Sequence, residues 1–476
     1  MSAIRSTQLF FAASQYAAAT VTAAIRAGQF GPRAEHRRLL IVSDTSPAPE
    51  VGTPLDRMAG FASLRPEFDE VHSWNAFIRP FHPAGWFPRE QDTLLWERYL
   101  RLAWKLGDGP VEIACESIQA NPSSAVAKIF GESPIHLYAD GLMSYGPTRS
   151  KIDPLIGTRV QRLLHLDLVP GLRPLLMTEF DVEPEVVPTI EFLKVLGELA
   201  ASAEEFTAPA GSPALLLGQY LSAIDVLTAD EEQELHLRML RGTVALGHTR
   251  VVFKPHPAAP VSWSRALEQE AELLGAELTV LDSPVIAEVV YERTRPALVV
   301  GAFSTALLTA ATFYGIPVAR VGTEELLAAL TPYQNSNRVP VTIVDALLPA
   351  LEDREAVTSW RLPGEERVRA ELSGLVTAVG FAMQPQIYPG LRGAAEEYLA
   401  AHPAPASSPY FRRRRLTSLA LPGALPGQLD FIPRNATVRR IARQAVAWKR
   451  GAGGGSPVSA ARAAEGAGMS GGRAGR

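Results

Sequence analysis

The run Arg37-Arg38-Leu39-Leu40-Ile41-Val42-Ser43 turns apolar without alternating. A strand reads this way when both of its faces are covered, as in a parallel sheet packed between helices. Similar short runs recur at Gln8–Ala12, Glu70–Trp74, Val111–Glu116 and Ile135–Tyr138. Helical patterns fill the intervals at Tyr16–Ala27, Thr93–Lys105 and Ala125–Phe130. Strand, helix, strand repetition of this kind predicts a doubly wound α/β domain.

The pattern loosens at Thr207–Pro213, whose Pro, Gly and Ser content reads as a linker, and then restarts. Strands are expected at Ala214–Gln219, Val251–Lys254, Leu278–Leu281, Ala297–Val300 and Val318–Val321. Helices are expected at Asp230–Leu246, Ser264–Leu274, Val285–Arg293, Thr305–Tyr314 and Glu324–Leu330. At 476 residues the chain is longer than one hydrophobic core usually organises. Two Rossmann-like units, residues 1–206 and 214–400, predict the GT-B architecture, with the active site in the cleft between them. Helices over Glu365–Ala382 and Ala394–Ala400 are expected to pack back across the first unit. Residues 401–476 form a tail of different character.

Charge excludes one function class. Between Phe411 and Arg450 there are ten Lys/Arg against the single Asp430, although the whole chain is at −4. The remainder is therefore strongly acidic, and an acidic body makes a poor general nucleic-acid binder. Within the tail, Val438–Arg450 carries basic residues and Trp448 on a helical pattern. That is chemistry for peripheral contact with an anionic inner membrane, although the plainer reading of the same residues is a solvated tail. The single cysteine, Cys115, lies in an apolar run and reads as a small core residue rather than a nucleophile. With one cysteine, no span of about 18 apolar residues and no signal-peptide pattern, a cytoplasmic location is expected.

Three motifs stand at strand ends, where ligands gather in open α/β sheets. Tyr138-Ala139-Asp140-Gly141 puts a carboxylate where it can accept a proton from an attacking hydroxyl, although Asp-Gly is also a common turn. In Phe253-Lys254-Pro255-His256-Pro257, two prolines stiffen the backbone and project His256 from a strand end. An imidazole there can stabilise a phosphate leaving group, with Lys254 adding charge. In Gly301-Ala302-Phe303-Ser304-Thr305-Ala306, paired hydroxyls open a helix, which makes either an ordinary cap or a phosphate site.

In this order, Asp140-Gly141, His256-Pro257 and Ser304-Thr305 resemble the motifs of the bacterial sialyltransferase families, most closely the α-2,8-polysialyltransferase-like group. Thr7-Gln8-Leu9-Phe10, Glu116-Ser117-Ile118-Gln119 and Tyr138–Gly146 also look like that group, and the likeness spans roughly residues 6–400. The resemblance implies an inverting, metal-independent transfer of sialic acid, or a related nonulosonic acid, from its CMP donor to a glycan or glycolipid hydroxyl. It makes Asp140 the general base and His256 the group that assists departure of CMP. It assigns Ser304 and Thr305, with Lys254, to the donor phosphate, and Glu288 and Gln219 to the nucleotide. Residues 1–206 become the acceptor domain and 214–400 the nucleotide-sugar domain, with no cofactor or metal expected. Tyr145, Arg149 and His82 are candidates for the acceptor or a sugar carboxylate, Arg149 because a guanidinium pairs well with one.

The chain departs from the family at Ala139, where many relatives carry an acidic residue. Two alternatives therefore stay open: a CDP-glycerol-type phosphotransferase of wall polymers, which also releases CMP, and a non-catalytic GT-B protein that binds glycan.

Overall fold

The computed structural model describes residues 6–139, 141–203, 211–256, 259–402 and 408–424. Asp140, Pro257, most of the expected linker and the Val438–Arg450 segment lie outside the described residues.

The first domain is built on seven strands: β1 (Ser6–Ala12), β2 (His36–Val42), β3 (Glu70–Ser73), β4 (Val111–Cys115), β5 (Ile135–Ala139), β6 (Val160–His165) and β7 (Pro184–Val186). All pair in parallel, in the order β3-β2-β1-β4-β5-β6-β7. The second has β8 (Ala214–Leu217), β9 (Arg250–Lys254), β10 (Glu277–Val280), β11 (Leu298–Gly301) and β12 (Val318–Arg320). These are also parallel, in the order β10-β9-β8-β11-β12. Both sheets are doubly wound: the strand order reverses between β1 and β4 in one and between β8 and β11 in the other, and the crevice at such a reversal is where ligands bind.

The central strands are dry on both faces, as the unbroken apolar runs require. Leu39, Leu40 and Ile41 of β2 and Val299 and Val300 of β11 are fully buried. Cys115 is buried at the end of β4, and burial pushes its thiol up to about 12, so it is a core residue and not a ready nucleophile.

Strands β6 and β7 were not foreseen. Gln161 and Arg162 interrupt the apolar run of β6 because they sit at its outer end, where Arg162 pairs with Glu185 at 3.2 Å. The second strand, β7, is three residues at the sheet edge.

The helices Glu365–Glu371 and Ser373–Met383 follow the second domain and cross to the first. The Gly171 position lies against the Glu365 backbone, and Gly380 against Leu175 and Pro147. Just beyond, the Tyr388 hydroxyl donates to Glu179 at 2.6 Å and accepts the Thr148 N–H at 2.9 Å. A second bridge is made by Arg293, which donates to the carbonyls of Ala200 at 3.1 Å and Ala203 at 2.9 Å at the end of the helix Thr189–Ser202.

Candidate active site

The carboxyl ends of β4, β5, β8, β9 and β11 converge on one cleft of about 670 Å³. Glu116, Gly141 and Arg149 line it from the first domain, and Gln219, His256 and Ser304 from the second.

Two hydrogen bonds hold the strand reversals together. At the first, the Glu116 carboxylate accepts the Ala13 N–H at 3.0 Å, joining the ends of β4 and β1. At the second, Gln219 Oε1 accepts the Phe303 N–H at 3.0 Å, joining the ends of β8 and β11. Gln219 thus shapes the loop that leads into Ser304, and among the described residues its amide N–H groups make no hydrogen bond.

Ser304 caps the helix Thr305–Phe313, its hydroxyl accepting the Ala306 N–H at 3.3 Å. Thr305 reaches across to the other domain: its hydroxyl accepts the Leu142 N–H at 3.3 Å. A Cβ added to Gly141 would stand 3.0 Å from the same hydroxyl oxygen, so the absence of a side chain at Gly141 permits this approach. Asp140 itself lies outside the described residues, but both of its neighbours, Ala139 and Gly141, line the cleft.

His256 faces the cleft from the end of β9, with the Tyr220 ring 5.9 Å away and tilted to it. Burial lowers the pKa of its imidazole, the neighbouring Lys254 lowers it further, and Glu232 opposes both. The imidazole is therefore mainly neutral near pH 7. Lys254 lies deeper, its Nζ 3.5 Å from the Ser283 carbonyl. Burial brings its ammonium down to about 8, against the pull of Glu288. Glu288 is itself buried on the first turn of the helix Ala287–Thr294, behind the cleft wall rather than on it.

The acceptor candidates separate. Arg149 is exposed and lines the cleft, its backbone N–H donating to Gln119 Oε1 at 3.2 Å. Tyr145 does not reach it. The turn Leu142–Tyr145 folds the ring into the core, fully buried, where its hydroxyl accepts the Val169 N–H at 3.1 Å. Burial raises its pKa well above the usual phenol range. Tyr145 is a packing residue, which corrects its assignment from sequence. His82 lines a second hollow of about 630 Å³ beyond β2 and β3, with Arg57 and Arg79, and its Nε2 is 2.8 Å from the Ser46 carbonyl. It does not share the main cleft.

Three residues were given no site role from the sequence, although Glu116 opens one of the segments that resemble the family. Glu116 supplies a carboxylate inside the cleft one strand over from Asp140. Tyr220 supports His256 and packs edge-on against Trp263 at 5.8 Å. Glu232 is fully buried and fixes the loop after β8 by accepting the Leu221 N–H at 2.7 Å and the Ser222 N–H at 2.8 Å. The only available signal for Glu232 was weak: a glutamate on the helix face that also carries Leu235, Met239 and Leu240.

The model of the alpha-2,8-polysialyltransferase family matches residues 8–323. No curated protein matches the chain. Solved structures similar to it include the GT-B domain of a sialyltransferase from Photobacterium damselae, at 11% identity and TM-score 0.37, covering 74% of this chain and 97% of that one. MurG from Acinetobacter baumannii is similar at 11% identity and TM-score 0.38, covering 77% and 98%. MnaA from S. aureus, solved with UDP, is similar at 12% identity and TM-score 0.42, covering 75% and 90%.

Proposed function

Because this chain belongs to the alpha-2,8-polysialyltransferase family, we propose that it transfers sialic acid, or a related nonulosonic acid, from a CMP donor to a hydroxyl of a glycan or glycolipid, by one inverting displacement that needs no metal ion. The single observation that supports this most is the contact between Thr305 and the Gly141–Leu142 turn. It brings the Gly141–Leu142 turn of one domain against the Ser-Thr helix start of the other, on the cleft that His256 also faces.

In this reading Asp140 takes the proton of the acceptor hydroxyl as its oxygen attacks the anomeric carbon. The bond from that carbon to the phosphate oxygen breaks on the opposite face, and CMP leaves with the electron pair. Charge developing on the phosphate is met by the Ser304 hydroxyl, the N–H groups opening the helix Thr305–Phe313, and a hydrogen bond from the His256 imidazole. Lys254 adds positive potential from below. Gln219 serves the nucleotide, Glu288 acts from behind the wall by favouring the charged form of Lys254, and Arg149 serves the carboxylate of a sugar in the cleft. Glu116 orients the first-domain wall.

The deciding experiment incubates the purified chain with CMP-sialic acid and a panel of glycan acceptors and follows CMP release. Turnover of CDP-glycerol with none of CMP-sialic acid would sink the proposal in favour of a phosphotransferase. Binding without turnover of any donor would leave a glycan-binding protein.

A further inference from the structure

The loop between the helices Thr323–Ala329 and Arg338–Leu347 brings Ser336 and Asn337 onto the wall of the main cleft, with Pro340 just inside the second helix. None of the three has a part in the reaction drawn above. Asn337 is only 9% exposed, and among the described residues its side-chain amide makes no hydrogen bond. What exposure it keeps is onto the cleft that it lines.

An asparagine before a helix ordinarily caps it, with extended backbone and its side-chain oxygen on the N–H of the second or third helical residue. Asn337 does not. Its φ and ψ of −73° and −11° are helical, and no cap bond forms. The third residue of the helix is Pro340, which has no N–H to offer. A carboxamide carries two N–H donors and a carbonyl acceptor. Burying these without partners is costly, so a group kept in this state points to a partner that comes from outside the chain.

The loop is fixed from behind. Arg338, next in sequence and fully buried, donates to the carbonyls of Tyr333 at 2.9 Å and Leu330 at 2.8 Å and lies 4.2 Å from the centre of the Tyr333 ring. Burial brings its guanidinium down to about 10, so it stays charged at neutral pH. The Tyr333 hydroxyl donates to the Tyr410 carbonyl at 2.9 Å, and Arg412 donates to the Leu330 carbonyl at 2.8 Å. Asn335 Oδ1 accepts the Asn337 N–H at 3.0 Å. A side chain backed in this way presents its amide in one place, which is what selective binding needs.

Strand order and chemistry indicate the occupant. In the order β10-β9-β8-β11-β12, His256 and Lys254 stand at the end of β9, Ser304 follows β11, and the Asn337 loop comes after β12. A donor with its phosphate at Ser304 and its nucleotide toward β8 and β9 therefore extends its sugar toward Asn337. Both residues belong to the second domain, so one rigid wall holds the two ends of the donor. Ser336, Asn337 and Pro340 carry no charge, and Val339 packs against Gly146 of the facing turn. An uncharged amide suits hydroxyl groups, which donate and accept, better than a carboxylate or phosphate, which a cation holds more strongly.

We infer that Asn337 is a specificity-determining residue that holds neighbouring hydroxyls of the donor sugar, its amide donating to one oxygen and accepting from the other. This rests on the reading of the chain as a CMP-sugar transferase. The test is calorimetric titration of the full chain with CMP and with CMP-sialic acid, without acceptor. Asn337→Ala binds CMP-sialic acid at least about tenfold more weakly than the wild type and binds CMP equally well. Its melting temperature does not fall, because the amide removed has no partner in the protein; a side chain kept for the fold would lower it. Asn337→Asp keeps the shape but loses both donors, gives the same selective loss, and serves if the truncated variant misfolds. Wild-type affinity for CMP-sialic acid in both variants overturns the inference and leaves the transferase reading standing. So does an equal loss toward CMP, which would put the residue on the nucleotide. A wild type that binds CDP-glycerol but not CMP-sialic acid removes the transferase reading and this inference with it.

Discussion

Gln219 and Phe303 are joined across the strand reversal of the second sheet, the side-chain oxygen of one accepting the backbone N–H of the other at 3.0 Å. The bond needs an acceptor but no particular charge. Gln219→Glu therefore keeps the loop and the melting temperature, while placing a negative charge beside the site assigned to the donor phosphate. The expected result is a rise of roughly tenfold in KM for the CMP donor, about 1.4 kcal/mol, measured by initial rates at fixed acceptor.

Lys254 depresses the proton affinity of His256 in the same wall. His256→Ala is expected to lose at least about 100-fold in turnover, with little change in stability because the ring faces the cleft. Lys254→Met removes the like charge that lowers the imidazole. The limb of the kcat/KM profile set by His256 then moves to higher pH. A limb that stays in place, or moves down, would separate the two residues.

Tyr145 and Arg149 are four residues apart and should behave oppositely. Tyr145→Phe leaves the buried Val169 N–H without its acceptor, at about 1–3 kcal/mol of stability, and leaves the acceptor KM alone. Arg149→Leu should raise that KM by roughly tenfold and leave the unfolding midpoint unchanged. Denaturant unfolding together with acceptor titration checks both.

Much of the framework was legible because it follows from burial. Strands covered on both faces read as unbroken apolar runs, and β2, β8, β9 and β11 do so within a few residues of their observed bounds. Strands β6 and β7 were hidden because sheet-edge and strand-end positions tolerate Arg162 and Pro184. The three site motifs were legible because strand ends punctuate the chain with Gly, Pro and hydroxyl residues. Glu116, Tyr220 and Glu232 were not, since their roles arise from strand order and from contacts between distant loops. Tyr145 was misassigned because closeness to Asp140 in sequence says nothing of direction, and one short turn sends the ring into the core.

The opposite end of the first sheet sets acid stability. Burial alone would raise the Glu112 carboxyl, but hydrogen bonds from His136, Ser6 and Gln8 more than offset it and hold it at about 2. A folded-state pKa below the ordinary 4.5 means stabilisation that is complete above that value and lost as pH falls toward 2. The contribution is of order 3 kcal/mol. Glu112→Gln should flatten the decline of unfolding free energy between these limits, as read by urea titration at several pH values, and should leave turnover at neutral pH intact.

The return of helix Ser373–Met383 to the first domain, secured by Tyr388 between Glu179 and Thr148, gives the enzyme two backbone crossings instead of one. Two separated attachment points leave rotation about the line joining them as the least hindered relative motion, so the width of the cleft is expected to change about that line.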